Sequence, residues 1–190
     1  MRKSLAILSL AALFYAGQSV ASAINYSYIE LGYLESELDL SGIDDDGDGY
    51  EFNLSLGVGQ TIAVVVGYQD VEFDANVEAS TQTLGIAYHK PYSNTGDMIL
   101  GLAYLEFEAE ASGGGSVDES GNELSLEIRS RTSPQNEVHF GLVRREIDGD
   151  SNSGYLFRIV NGNPQGFQFV IDYEDIDYGS SLMLGLRSAF

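Results

Sequence analysis

The last ten residues, Ser181-Leu182-Met183-Leu184-Gly185-Leu186-Arg187-Ser188-Ala189-Phe190, alternate apolar with small or polar side chains and close on an aromatic. Leu182, Leu184, Leu186 and Phe190 share one parity, with Ser188 the lapse. Gly185, Arg187 and Ala189 share the other, with Met183 the exception. Successive side chains of a strand point to opposite faces, so this pattern describes a ribbon that is greasy on one side only. The alternation recurs along nearly the whole chain. Tyr50, Phe52, Leu54, Leu56 and Val58 alternate with Glu51, Asn53, Ser55, Gly57 and Gly59. Ile62, Val64, Val66 and Tyr68 follow after a tight turn.

Strands of about ten residues, apolar on one face and polar on the other, are the pattern of a transmembrane β-barrel with its polar face inward. The start of the chain points the same way. Arg2 and Lys3 precede an apolar run over residues 5–15, and Ala21-Ser22-Ala23 offers a small-x-small cleavage site. That run is too short to cross a bilayer as a helix, which takes about 20 residues. Residues 1–23 therefore read as a cleaved signal peptide, and 24–190 as one mature domain.

The remaining strands are read from the same parity. Outward sets are Ile29, Leu31 and Tyr33; Leu84, Ile86 and Tyr88; Met98, Leu100, Leu102 and Tyr104; and Leu124, Leu126 and Ile128. Val138, Phe140 and Leu142, then Tyr155, Phe157 and Ile159, then Phe167, Phe169, Ile171 and Tyr173 complete the wall. The count is about ten strands in a closed, all-β, antiparallel up-and-down barrel, with eight as the alternative. An internal repeat supports it. Gly32-Tyr33-Leu34-Glu35, Gly67-Tyr68-Gln69-Asp70, Ala103-Tyr104-Leu105-Glu106 and Asp172-Tyr173-Glu174-Asp175 share the form x-Tyr-x-acid. Each is expected to end an outgoing strand, with Tyr at the membrane interface and the acid beyond it in water.

Charge is distributed as unevenly as hydropathy. The 29 Asp and Glu face only 9 Lys and Arg, which excludes nucleic-acid binding, a function that rests on basic patches. Turn-like connections near 59–61, 90–97, 130–136 and 161–166 carry all three prolines. The opposite connections, read as loops over 35–48, 70–79, 106–121, 146–153 and 174–178, hold 22 of the 29 acids and no Lys or Arg. The longest includes Gly113-Gly114-Gly115 and is expected to be mobile. Cysteine is absent, which excludes disulfides and thiolate metal sites.

Taken together, the leader, a first strand beginning near Asn25-Tyr26-Ser27-Tyr28, the Gly/Ala-Tyr strand ends and the terminal Phe190 resemble a known group. It is the small outer-membrane barrel proteins once described as secreted quorum factors in plant-pathogenic bacteria, and more broadly the OmpA- and OmpX-type barrels. The resemblance implies an outer-membrane location and recognition of Phe190 by the barrel-assembly machinery. It carries no catalytic residue across, and a barrel built to stay in a membrane makes a poor diffusible signal.

Candidate sites are few. Asp44-Asp45-Asp46-Gly47-Asp48-Gly49 matches the first six positions of an EF-hand loop, but its twelfth position is Ser55 rather than Glu. Two readings stay open: weak calcium or magnesium binding by Asp44, Asp46 and Asp48, or a solvated acidic loop. His89 and His139 have inward parity near the periplasmic rim, which disfavours an enzyme working at the outer mouth. The inward charges Glu51, Glu127, Arg129, Arg145, Arg158, Asp172, Glu174 and Arg187 would either line a pore or pair across a filled lumen. Arg144 has outward parity near a strand end, where it could reach the interface.

The expected function is a structural or surface-interaction role in the envelope. Acidic outer loops would meet lipids, lipopolysaccharide or divalent cations, and the chain is expected to be a monomer with no resident cofactor. A narrow porin-like channel and an outer-membrane enzyme are the alternatives.

Overall fold

The computed structural model describes residues 24–40 and 43–190, with the side chains of 39, 40, 43 and 44 left outside the description. The signal peptide assigned to 1–23 also lies outside the described residues. Ten strands follow in order: β1 (Tyr28–Leu40), β2 (Ile43–Val58), β3 (Ile62–Phe73), β4 (Val77–Ser93), β5 (Gly96–Ala111), β6 (Ser116–Ser133), β7 (Asn136–Ile147), β8 (Asp150–Gly162), β9 (Phe167–Ile176) and β10 (Gly179–Ala189). Each pairs antiparallel with its sequence neighbours, and β1 pairs with β10 from Tyr28↔Ala189 to Leu38↔Gly179. The barrel is closed. Ten strands, not the alternative eight, bring both termini to one end.

The outward rows follow the alternation. Leu31, Leu84, Leu102, Leu142, Leu184 and Leu186 are all exposed, as are Tyr33, Tyr50, Tyr68, Tyr104 and Tyr155 toward the far end. A continuous exposed band of this kind would drive a water-soluble domain to associate, whereas in hydrocarbon it costs nothing. Tyr33 and Tyr50, opposite each other in register, meet edge to face at 6.2 Å. At the termini end Tyr88, Tyr92, Phe167, Phe169 and Phe190 form the second aromatic ring. Val138 departs from its expected place. It is buried despite outward parity, beside Ser130, whose hydroxyl shares a hydrogen bond with the ring hydroxyl of Tyr92.

The acidic segments are a larger departure from the sequence reading. They are mostly strand, not loop. On β5 the outward row Leu100, Leu102, Tyr104 continues without a break as Glu106, Glu108, Glu110. On β2 Tyr50 is followed outward by Asp48 and Asp46, and on β3 Tyr68 by Asp70 and Glu72. The period of two persists past the tyrosine ring; only the surrounding solvent changes, from lipid to water, so acids replace leucines. Gly113-Gly114-Gly115 is reduced to the tip of a four-residue turn, in which Gly114 takes a φ of +89° that other residues rarely adopt.

Inside the barrel, small residues sit beneath large ones. Met183, the exception in the C-terminal pattern, is buried with its thioether lying over Gly32 and Gly185. Gly49 stands in register between Leu34 and Val71, which belong to one buried cluster. A Cβ at Gly49 would sit 1.8 Å from the Asp70 carbonyl oxygen, so even alanine forces the strands apart.

Depth in the lipid band should govern tolerance of charge. Leu54 lies mid-row on β2 and Val58 at its termini end. Leu54→Arg is expected to cost about 2–4 kcal/mol and Val58→Arg about 0–1 kcal/mol. Urea titrations of the barrel refolded in vesicles measure both; equal and small effects would mean that the faces are assigned wrongly.

Candidate functional site

Every inward charge read from parity lies in the lumen, and the structure adds Glu30, Glu123, Asp97, Arg131 and Glu137. Glu30 on β1 and Arg187 on β10 are register partners, both 1 % exposed, joined at 2.7 Å. Arg158 reaches Glu30 from β8 at 3.7 Å and donates to Asp172 on β9. Asn53 on β2 donates to both Glu30 and Glu51. This network joins β1, β2, β8, β9 and β10. Toward the far end, Arg145 on β7 bridges Glu123 of β6 at 2.6 Å and Glu174 of β9 at 2.8 Å.

A charge withdrawn from water costs several kcal/mol unless it is paired and hydrogen-bonded. That cost explains where the bases lie. Of the seven Lys and Arg in residues 24–190, five (Arg129, Arg131, Arg145, Arg158 and Arg187) bond to carboxylates inside the wall. Lys90 and Arg144 are exposed. Arg144 stands one step beyond the apolar row of β7, consistent with its outward parity.

At the termini end a second constellation fills the mouth. Arg129 and Arg131 converge on Glu137 at 2.6 and 2.9 Å. His139 lies 3.9 Å from Glu127 and 3.8 Å from Glu137. His89 lies 3.5 Å from Asp97 and stacks on Tyr26, ring centroids 3.6 Å apart. Both histidines are inward and at the termini end, as parity required. Tyr26 is the surprise: it precedes β1, and its ring turns into the lumen instead of starting the first strand.

The proposed cation ligands have a different setting. Asp46 and Asp48 are exposed on the outer face of β2, opposite Glu37 and Glu35 of β1. Asp44 is paired to Asp39 through the backbone, while its side chain lies outside the described residues. The EF-like run is thus a straight strand segment. Glu72 and Glu78 stand opposite each other on β3 and β4, and Glu78 opposite Glu110 on β5, so carboxylates continue around half of the far rim.

No protein-family model and no curated protein matches the chain. Solved structures do match it in fold. An outer-membrane channel from Pseudomonas putida F1 superposes with a TM-score of 0.53 at 12% identity, covering 92% of this chain and 98% of the other. The β domain of the Bordetella autotransporter BrkA gives 0.52 at 14% identity, covering 86% and 99%. Neisserial surface protein A gives 0.49 at 12% identity, covering 89% and 100%. At such identities the likeness is one of fold: a closed barrel of the outer-membrane kind.

Breaking the central network should be far more costly than removing an exposed charge. Glu30→Ala strands Arg187 and weakens the hold on Arg158, and is expected to cost about 3–5 kcal/mol. Arg144→Ala should change stability by less than about 0.5 kcal/mol. Comparable losses for the two variants in refolding titrations would show that the lumen pairs do not carry the interior.

Proposed function

We propose that this protein is an outer-membrane barrel with a filled lumen, working in the envelope through its outward acidic face rather than as a solute channel. The observation that carries this reading is the network centred on Glu30, which lays ion-paired side chains across the interior from β1, β2, β8, β9 and β10. A lumen of ten strands is already narrow, and wide aqueous channels belong to barrels of about 16 strands. With both termini at the periplasmic end, the carboxylate-bearing strand extensions stand on the extracellular side.

Those carboxylates repel one another unless they are screened. Monovalent salt screens exposed charge over a Debye length of about 8 Å at physiological strength. Divalent ions do more, because hard cations prefer carboxylate oxygens and bridge them to lipid phosphates. The outer leaflet, rich in phosphate on lipopolysaccharide, is the partner such a face suits. An enzymatic role at the outer face finds little support in the histidines, which lie buried at the opposite end beside Tyr26, Asp97, Glu127 and Glu137.

Planar-bilayer recording of the refolded barrel tests the reading. The expected result is no steady conductance in salt alone or with millimolar calcium. Sustained single-channel currents in the wild type would transfer the assignment to a narrow porin-like channel. A second measurement concerns the rim. Calorimetry should show weak, multi-site calcium binding that falls when Asp44, Asp46 and Asp48 are replaced by Asn. Identical heats for the two proteins would remove the divalent cation from the account.

A further inference from the structure

Residues 24–27 belong to no strand, yet they are held by residues of β2 through β6 and by the C-terminal Phe190. Ser55 of β2 donates to the Tyr26 carbonyl at 2.7 Å, and the Ser27 hydroxyl accepts from the Gly57 backbone at 3.1 Å. The Tyr26 hydroxyl donates to Asp97 of β5 at 2.7 Å, while its ring stacks on His89 of β4 and packs on Ala63 of β3 and Ile99 of β5. Arg129 of β6 lies over the same ring at 4.8 Å and donates to the Asn25 carbonyl at 3.1 Å. The Asn25 amide donates to the Phe190 carbonyl at 3.2 Å, and the Phe190 N–H to the Ser27 carbonyl at 3.1 Å.

The topology makes these contacts informative. In a ring of ten strands β6 stands five places from β1 in either direction, directly opposite. A segment that leaves β1 and meets a side chain reaching in from β6 lies within the mouth. Its holds are also sparser than those of the wall: apart from the one backbone bond from Phe190 to Ser27, they are single side-chain bonds and one ring in a pocket.

We infer that residues 24–27 form a stopper across the periplasmic mouth of the lumen, latched by Tyr26 and able to unseat while the barrel stays closed. The stopper deepens the filled-lumen reading and rests on it. It divides the interior into a permanent barrier, the ion pairs grown from the wall, and a removable one. Tyr26 is the latch because it alone combines a buried ring, a stacking imidazole, an overlying guanidinium and a carboxylate acceptor. Asn25 is the hinge-side tie, joining the stopper to the last residue of the chain.

The chain has no cysteine, so a single introduced thiol reports on the pocket alone. Ala63 is 1 % exposed and lies beneath Tyr26. The experiment follows maleimide labelling of Ala63→Cys in the vesicle-refolded barrel, alone and combined with Tyr26→Phe or Asn25→Ala. Neither second change uncovers residue 63 directly: the first keeps the ring, and the second leaves Tyr26 intact. Labelling is expected to be slow in the single variant. It should rise about five- to tenfold with Tyr26→Phe, the factor that losing one buried hydrogen bond of typical worth confers, and also rise with Asn25→Ala, which removes the exposed bond to Phe190 and the bond accepted from the Ser27 N–H. The heat-dependent shift in gel mobility should stay unchanged. If one variant does not reach the folded band, the other decides. Unchanged labelling in a folded double variant, or fast labelling already in the single one, overturns the stopper. Steady conductance in the wild type would instead overturn the filled lumen, so the two failures are told apart.

Discussion

Everything in this molecule depends on the pairing of β1 with β10. In hydrocarbon no water is present to satisfy a stray N–H or C=O, and each unpaired group costs several kcal/mol. An open ten-strand sheet would present two such edges. The register from Tyr28↔Ala189 to Leu38↔Gly179 removes both, and with them the reason for the chain to aggregate. Closure also creates an inside. Once the sheet is a cylinder, the parity that put leucines in lipid must put the alternate residues in a narrow lumen.

That lumen explains the placement of charge. The chain is strongly acidic, yet five of its arginines, Arg129, Arg131, Arg145, Arg158 and Arg187, lie inside, each meeting a carboxylate. Outside, acids stand without bases because water and ions solvate them. The cost of burial, which applies on only one side of the wall, draws the arginines inside, where five of them stand among eight acids, and leaves the far rim acidic. Glycine serves the same end in a different way. Gly32 and Gly185 make room for Met183, and Gly49 lets the backbone of β3 approach, so the interior closes with apolar side chains as well as ion pairs.

Much of the site was legible from parity alone. Glu51, Arg158 and Asp172 each sit between apolar neighbours of a clear strand, Arg187 follows Leu186 in the C-terminal one, and all four face inward as read. Glu30 carried the same signal, between Ile29 and Leu31, and was overlooked. Asp97 and Arg131 fell in segments read as turns and Glu137 just past one, where parity loses its meaning until the strand ends are known. The rim was misread for a related reason. Runs such as Glu106-Phe107-Glu108-Ala109-Glu110 keep the strand period but put acids on the outward parity and turn Phe107 and Ala109 inward, so they passed for loops.

The sequence by itself determined the architecture: a period of two, an outward face matched to lipid, and enough strands to close. These are local properties, carried by each residue and its neighbours two places away. Only the tertiary structure decided which charges meet, because Arg158 and Glu30, or Arg129 and Asn25, are brought together by the curvature of the closed sheet. It also decided the fate of Tyr26. Nothing in Asn25-Tyr26-Ser27-Tyr28 separates a strand from a stopper; the difference lies in a pocket of His89, Asp97 and Arg129 that exists only once β4, β5 and β6 stand across from β1.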